Sequence, residues 1–418
     1  MQPSAHVLPY LYELGGKFLV VGDLMNVDAT TWSRDSHELF DYESRSVEKS
    51  SFLLDGSSRI YRRSASVFMG PDREGGTSFL GPWKGAIIDM PPSNGDETLE
   101  YLLRAVYLDG RCIVQSAERQ PDSSSIQAKK LWLVVKEIGQ YVLHEGDVIK
   151  LGRFKLRVRQ ICTGPSDDPV RPDVAGVDTS CGVVAPADVK GMPCRICLLE
   201  GSASEEDPLI QACSCRGSIQ YVHLGCLRYW INGRLCLSDS SKHAYLFRQL
   251  ACELCKANYP VEVEMPDQSR IPLVPMPETH APYIVLENMM RTEPTDSQSA
   301  PPPTRGVFVI SLAGKKILKL GRGHESDVRI ADVSISRWHA TVTFTDSGHF
   351  ILEDHGSKFG TLVAMRRPKV VDPTSTSDLS KARLCVQAGR TLFRFNYPQV
   401  HEETWSVNAP SLVDQEVP

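Results

Sequence analysis

Eight side chains between Cys194 and Cys255 restrict what this chain can become: Cys194, Cys197, Cys213, Cys215, His223, Cys226, Cys252 and Cys255. They fall as Cys-x2-Cys, Cys-x-Cys, His-x2-Cys and Cys-x2-Cys. Zn2+ takes four soft or borderline ligands in a tetrahedron, and a Cys-x2-Cys turn offers two of them from one tight loop. Eight ligands in four pairs make two closed sites, so the expectation is two Zn2+ per chain. A closed four-ligand site is structural, because no position is left for water or substrate. Cysteines also serve as ordinary small hydrophobes. Here eight of the twelve fall inside this stretch, and seven of those pair with one another or with His223. A disulfide framework belongs to oxidising compartments. Met1–Tyr10 has no basic region followed by an apolar core, as a secretory signal would. A His among the cysteines favours metal.

The 418 residues suggest several domains, and 41% hydrophobic with 23% charged residues is ordinary for globular ones. A net charge of −5 argues against a generic nucleic-acid binder. No apolar run approaches the roughly 20 residues that cross a bilayer. A soluble protein without a membrane span, cytoplasmic and/or nuclear, is therefore expected. Gly164–Pro193, rich in Pro, Asp, Gly and Ser, reads as a linker. Pro260–Pro303 reads as an extended connector in which Tyr283–Glu287 can pack on a neighbour. The residues after Pro398 read as an acidic, disordered tail. Three units result: 1–163, 192–260 and 305–398. Helical periodicity is scarce, with Leu224–Ile231 the best short helix, and the outer units read as β-rich. The fold class expected is a mainly β multidomain chain with a small zinc finger in its middle.

The finger resembles the RING-CH (RING-variant) subclass of RING domains found in ubiquitin ligases. The ligand order matches, as do gaps of 15 residues after Cys197, 7 after Cys215 and 25 after Cys226. Trp230, four residues after the sixth ligand, also matches. A PHD finger shares the ligand order, but Leu250 stands where its usual Trp would be. The resemblance implies a cross-brace: Cys194, Cys197, His223 and Cys226 on one zinc, Cys213, Cys215, Cys252 and Cys255 on the other. It also implies a non-covalent ligase that docks a ubiquitin-conjugating enzyme and holds its charged ubiquitin in a reactive pose, which is catalysis by positioning. Ile196 and Trp230 match the family's apolar contacts to that enzyme. Lys256 stands where many RING domains place a cation, more often Arg, touching both partners. So small a unit has little core. Metal supplies much of the folding energy in such units, about 10–16 kcal/mol per structural zinc in peptides.

Residues 306–396 alternate short strands with turns, as an antiparallel sandwich requires. Three loop signals follow in order: Gly321-Arg322, Ser336-Arg337-Trp338-His339 and Ser357-Lys358-Phe359-Gly360-Thr361. Together they resemble the forkhead-associated (FHA) domain, a β-sandwich that binds phosphothreonine peptides. The resemblance implies that Arg322 and Ser336 contact the phosphate, that Lys358 reaches it, that Arg337 touches the peptide or phosphate edge, and that His339 braces the loop. Phe359 departs from the Asn that many members use to clamp the peptide backbone.

The unit 1–163 shows no catalytic constellation. Leu143–Gly152 followed by Phe154–Arg159 looks like the last hairpin of an FHA-like sandwich, degenerate because no Gly-Arg and Ser-x-x-His set precedes it. The functional expectation is a RING-type E3 ubiquitin ligase whose partners are a conjugating enzyme, ubiquitin and phosphothreonine proteins. A non-catalytic phosphopeptide adaptor is the alternative. A chromatin reader built on a PHD-like finger is a third reading, disfavoured by the absent Trp and the lack of basic stretches.

Overall fold

The computed structural model describes residues 11–14, 17–20, 25–34, 38–54, 56–71, 78–80, 87–89, 99–108, 111–117, 127–164, 180–184, 191–200, 207–235, 243–248, 250–289, 306–371 and 383–397. The acidic tail, most of Gly164–Pro193, Cys236 and the stretch 290–305 lie outside the described residues.

The chain is mainly β, as its alternating patterns predict. Its spine is an eleven-stranded sheet. In order across the sheet the strands are Ala244–Phe247, Val307–Ser311, Tyr283–Asn288, Phe154–Cys162, Val148–Leu151, Thr361–Ala364, Leu131–Val134, Arg383–Ala388, Thr391–Asn396, Met25–Trp32 and Val47–Leu54. A five-stranded sheet containing Ile317–Gly321, Ala340–Phe344 and Phe350–Asp354 covers one half of this spine. Between them lies a core that includes Ile149, Leu156, Ile284, Phe308, Leu320, Val342 and Leu352. A further sheet, with Ser58–Arg63, Glu100–Leu108 and Arg111–Ser116, covers the other half. The core there includes Val27, Leu54, Ile60, Leu103, Leu133 and Phe393. Two sandwiches thus share one continuous sheet.

Strands on either side of residues 163 and 305 interleave. The hairpin Val148–Leu151/Phe154–Cys162 is present, and it closes the C-terminal sandwich: Ile149 lies opposite Val363 and Val158 opposite Leu286. Conversely Arg383–Ala388 and Thr391–Asn396 feed the N-terminal sandwich, where Phe393 lies opposite Ala29. Tyr283–Asn288, expected inside a connector, is a central strand, and its first five residues are buried.

The finger is built on Leu209–Ile210 paired with Val222–His223, followed by a helix over Leu224–Leu235. That helix runs four residues past the expected end. It buries Leu224, Leu227, Ile231 and Leu235, one stripe at helical spacing. The finger's core also reaches beyond 192–260, taking in Val263 and Leu273. Ser180–Gly182, Glu262–Glu264 and Arg270–Pro272 form a small sheet. Arg228 of the helix donates to the backbone oxygens of Leu273 and Pro272 at 2.8 Å each.

Candidate functional site

Each Cys-x2-Cys turn is closed by backbone hydrogen bonds. Leu198 N donates to Cys194 O and Lys256 N to Cys252 O, at 2.8 and 2.9 Å. Both turn-closing residues adopt left-handed backbone, φ 62° at Leu198 and 63° at Lys256. These turns aim paired thiols at two points. Cys194, Cys197, His223 and Cys226 gather with their ligand atoms within 4.8 Å of one another, and so do Cys213, Cys215, Cys252 and Cys255. His223 presents Nδ1, 3.4 Å from Cys197 Sγ. The first and third pairs share one cluster and the second and fourth share the other, which is a cross-brace. Thiolates are the metal-binding form. Burial disfavours the charged form of Cys194, but N–H groups of Cys197, His223 and Ile196 outweigh it and bring the thiol down to about 7. At Cys252 burial is likewise outweighed, chiefly by the N–H groups of Cys255 and Leu254, giving about 6. Burial raises the thiols of Cys213, Cys215 and Cys226 instead, so the fit to Zn2+ rests on the gathering of four soft or borderline donor atoms in each cluster.

Arg195 is a residue the sequence reading missed. Its guanidinium donates to Cys213 Sγ at 3.3 Å and to Tyr259 Oη at 3.0 Å, and lies 3.7 Å from Cys252 Sγ. It joins the turn of the first cluster to two thiols of the second. A cation between two ligands in a Cys-x2-Cys turn was the available signal.

Ile196 is 40% exposed on the first turn, and Leu254, at the corresponding place in the last, is also exposed. Trp230 is half-buried, edge-on to Tyr259 with ring centroids 6.0 Å apart, and the Arg234 guanidinium lies over its ring. Trp230 and the turn carrying Ile196 are thereby linked through Tyr259 and Arg195. Lys256 is exposed, and its ammonium donates to Glu253 O at 2.9 Å.

The second site lies at one end of the C-terminal sandwich. Arg322 N donates to Ser336 O at 3.1 Å, Gly323 N donates to Arg337 O at 3.0 Å, and Lys358 N donates to Ser336 Oγ at 3.2 Å. The Ser336 hydroxyl thus accepts from one loop and keeps its hydrogen to donate. Arg322 and Arg337 are exposed, and among the described residues their guanidinium groups meet no carboxylate. His339 is fully buried and braces both loops: its Nδ1 accepts from Ser336 N at 3.0 Å, and its Nε2 is 3.2 Å from Gly360 O. The Ser336 bond fixes the tautomer, so Nε2 carries the hydrogen and donates to Gly360 O. Burial lowers the His339 pKa below its ordinary value. Gly321 is required because a Cβ there would strike the Arg337 backbone oxygen.

Phe359 is partly buried. It packs on Trp32, ring centroids 6.2 Å apart, beside a cluster that holds Leu39 and Phe40. Tyr42 N donates to Lys358 O at 3.0 Å, Asp41 lies 3.4 Å from the Lys358 ammonium, and a Cβ on Gly360 would fall 2.7 Å from the Tyr42 ring. Residues more than 300 positions upstream thus cover the back of the loop, which no local signal announces. Trp338, 43% exposed and stacked on His355 at 4.3 Å, is a further aromatic at the pocket edge.

Two clusters of four metal-ligating side chains in a cross-brace, and a sandwich end whose hydrogen-bonded loops carry Arg322, Ser336, Arg337 and Lys358, define a RING-variant finger joined to an FHA domain. Comparison with known families agrees. Residues 194–255 match the RING-variant domain and residues 318–378 match the FHA domain. The E3 ubiquitin-protein ligase MARCHF7 of Pongo abelii is 34% identical over 102 residues, which is 24% of this chain and 13% of that protein. The ERAD-associated E3 ubiquitin-protein ligase DOA10 of Saccharomyces cerevisiae is 39% identical over 72 residues, 17% of this chain and 5% of that protein. The human E3 ubiquitin-protein ligase MARCHF1 is 39% identical over 72 residues, 17% and 20% respectively. The chain thus spans a fifth or less of the length of these relatives. Among the described residues no helix is long and apolar enough to cross a membrane.

Proposed function

We propose that this chain is a RING-type E3 ubiquitin ligase, structured by two Zn2+, that recruits phosphothreonine proteins through its FHA domain. The observation that carries the reading is the pair of cross-braced four-ligand clusters with exposed Ile196 between the first two ligands. Zn2+ held by these ligands supplies structure and leaves no open position for chemistry. Ile196 and the exposed part of Trp230 dock a conjugating enzyme, and no covalent intermediate forms on the finger. The charged ubiquitin is held in a reactive geometry. At the other site Arg322 offers a planar fork to the phosphate, Ser336 a hydroxyl and Lys358 a point charge, with Arg337 at the edge. In this reading the protein works in the cytoplasm and/or nucleus without spanning a membrane.

The alternative is a phosphopeptide adaptor with a purely structural finger. Lys256 favours it, because it offers a single point charge where a guanidinium fork is more usual, and its ammonium already bonds Glu253 O. Incubating the zinc-loaded chain with a panel of conjugating enzymes and ubiquitin separates the two. Chain formation is expected, with two Zn2+ per chain by elemental analysis. Silence with every enzyme moves the adaptor ahead, and fewer than two zinc ions sinks the cross-brace. Arg322→Ala should weaken phosphothreonine-peptide binding about ten- to a hundredfold, since bonds to charged groups contribute roughly 1.5–3 kcal/mol each.

A further inference from the structure

Three lysines gather around one indole away from the Arg322 pocket. The ammonium groups of Lys130, Lys150 and Lys155 lie 5.2, 5.5 and 5.9 Å from the centre of the Trp132 ring. They come from three segments of the shared sheet: the entry to Leu131–Val134, the strand Val148–Leu151 and the strand Phe154–Cys162. Lys150 and Lys155 stand directly opposite each other in the hairpin register, a placement that like charges disfavour.

Ordinarily a carboxylate would sit among such groups. Among the described residues none lies within ion-pair distance of these three ammonium groups. The nearest candidates are committed elsewhere. The Glu38 carboxylate pairs with Lys129 at 3.3 Å and acts on Lys150 from beyond ion-pair distance, while the Glu38 backbone oxygen accepts from the Lys150 ammonium at 3.0 Å. Glu287 answers Arg157 at 3.9 Å and Arg159 at 3.5 Å. Lys150 is 2% exposed, so solvent does little for its charge, and burial draws its pKa down to about 8. The Trp132 face attracts cations, but it does not neutralise them. Lys130 is exposed and Lys155 half-buried, which leaves the cluster open to a ligand.

We propose that Lys130, Lys150 and Lys155 form a second anion-binding site over Trp132 that takes a phosphate dianion, free or as a phosphate monoester. Three point charges ranged around one ring, with Lys155 acting on both Lys130 and Lys150, match a compact, multiply charged anion that has acceptor oxygens enough for each ammonium. A single carboxylate carries half the charge and fewer acceptors. The site does not rest on the phosphothreonine reading of the Arg322 pocket, since no residue is shared.

The test uses the full zinc-loaded chain carrying Arg322→Ala, which weakens the first pocket. Inorganic phosphate and a phosphoserine peptide are titrated separately by calorimetry in chloride buffer, with a glutamate-rich unphosphorylated peptide as comparison. One equivalent of phosphate should bind. Adding Lys130→Gln and Lys155→Gln should weaken it about a hundredfold, taking about tenfold for each charged hydrogen bond lost. The cooperative unfolding transition of the chain should be unchanged, which shows the sandwich intact. If the phosphoserine peptide binds at least as tightly as inorganic phosphate, the ligand is peptide-borne; if only inorganic phosphate binds, it is the free ion. The proposal is overturned if the Arg322→Ala chain binds no phosphate, if the two lysine changes leave binding unaltered, or if the glutamate-rich peptide binds more tightly than phosphate.

Discussion

Single side chains decide how the two sites hold together. Arg195 is the clearest case, because one guanidinium serves thiols of one cluster from the turn of the other. Partners in the shell behind metal ligands commonly matter ten- to a hundredfold in metal affinity. Arg195→Ala should therefore weaken zinc retention by about that factor in competition with a chromophoric chelator, and Arg195→Lys should recover only part. Phe359 shows how a motif position can be reassigned. Many FHA domains carry Asn at this place, but here the Phe359 ring packs on Trp32. Phe359→Asn should cost about 1–3 kcal/mol in denaturant unfolding without tightening peptide binding. A stable variant with improved affinity would show that the ring is dispensable. His339 is neutral by the same logic of burial. Its folded pKa is depressed, so its contribution to stability is fully present above the unfolded value of about 6.5 and is lost as pH falls from there through the lower folded value. A folded-state titration of His339 by NMR should lie below 6.5, and a value above it would contradict the buried, doubly bonded ring.

At the scale of elements, the finger separates packing from display. The helix Leu224–Leu235 turns Leu224, Leu227, Ile231 and Leu235 inward, while Tyr229 is 83% exposed. Trp230 lies between these roles, packed on Tyr259 yet half-open. Its removal would disturb both the core and any docking, so it is a poor probe of either. Ile196 sits on the hydrogen-bonded turn between Cys194 and Cys197 and is 40% exposed. Ile196→Ala should keep both zinc ions and the melting temperature while slowing discharge of ubiquitin from a conjugating enzyme. Unchanged discharge would place the docking face elsewhere. The strand Ala244–Phe247 lies inside the RING-variant stretch and pairs with Val307–Ser311 of the sandwich. The finger is thus joined to the FHA sandwich by a backbone ladder as well as by a tether.

For the whole molecule, the consequence is mutual dependence. Thr361–Ala364, within the FHA match, has both its neighbours from residues 131–151. A fragment spanning 305–398 would lack these strands and Tyr283–Asn288, leaving open edges and an exposed apolar face. It should show no cooperative unfolding and no phosphothreonine binding, whereas the full chain should show cooperative unfolding. A well-folded, binding-competent fragment would mean that the shared sheet is not needed.

The finger was legible in the sequence because its constraint is local. Ligand spacing within tight turns fixes which atoms can converge, and the two clusters form as Cys-x2-Cys and His-x2-Cys arithmetic requires. The FHA stretch was legible for a similar reason, because its short motifs lie in loops between strands. Alternation also marked the closing strand over Phe154–Arg159 and the short strands of 306–396, since a period of two reports which residues are buried. It does not report which strand lies alongside. That Val148–Cys162 completes the C-terminal sandwich, that Thr391–Asn396 belongs to the N-terminal one, and that Asp41 and Tyr42 back the Lys358 loop are long-range pairings. Only the tertiary structure decided them, because the backbone ladder that selects a partner strand leaves no periodic trace in either sequence.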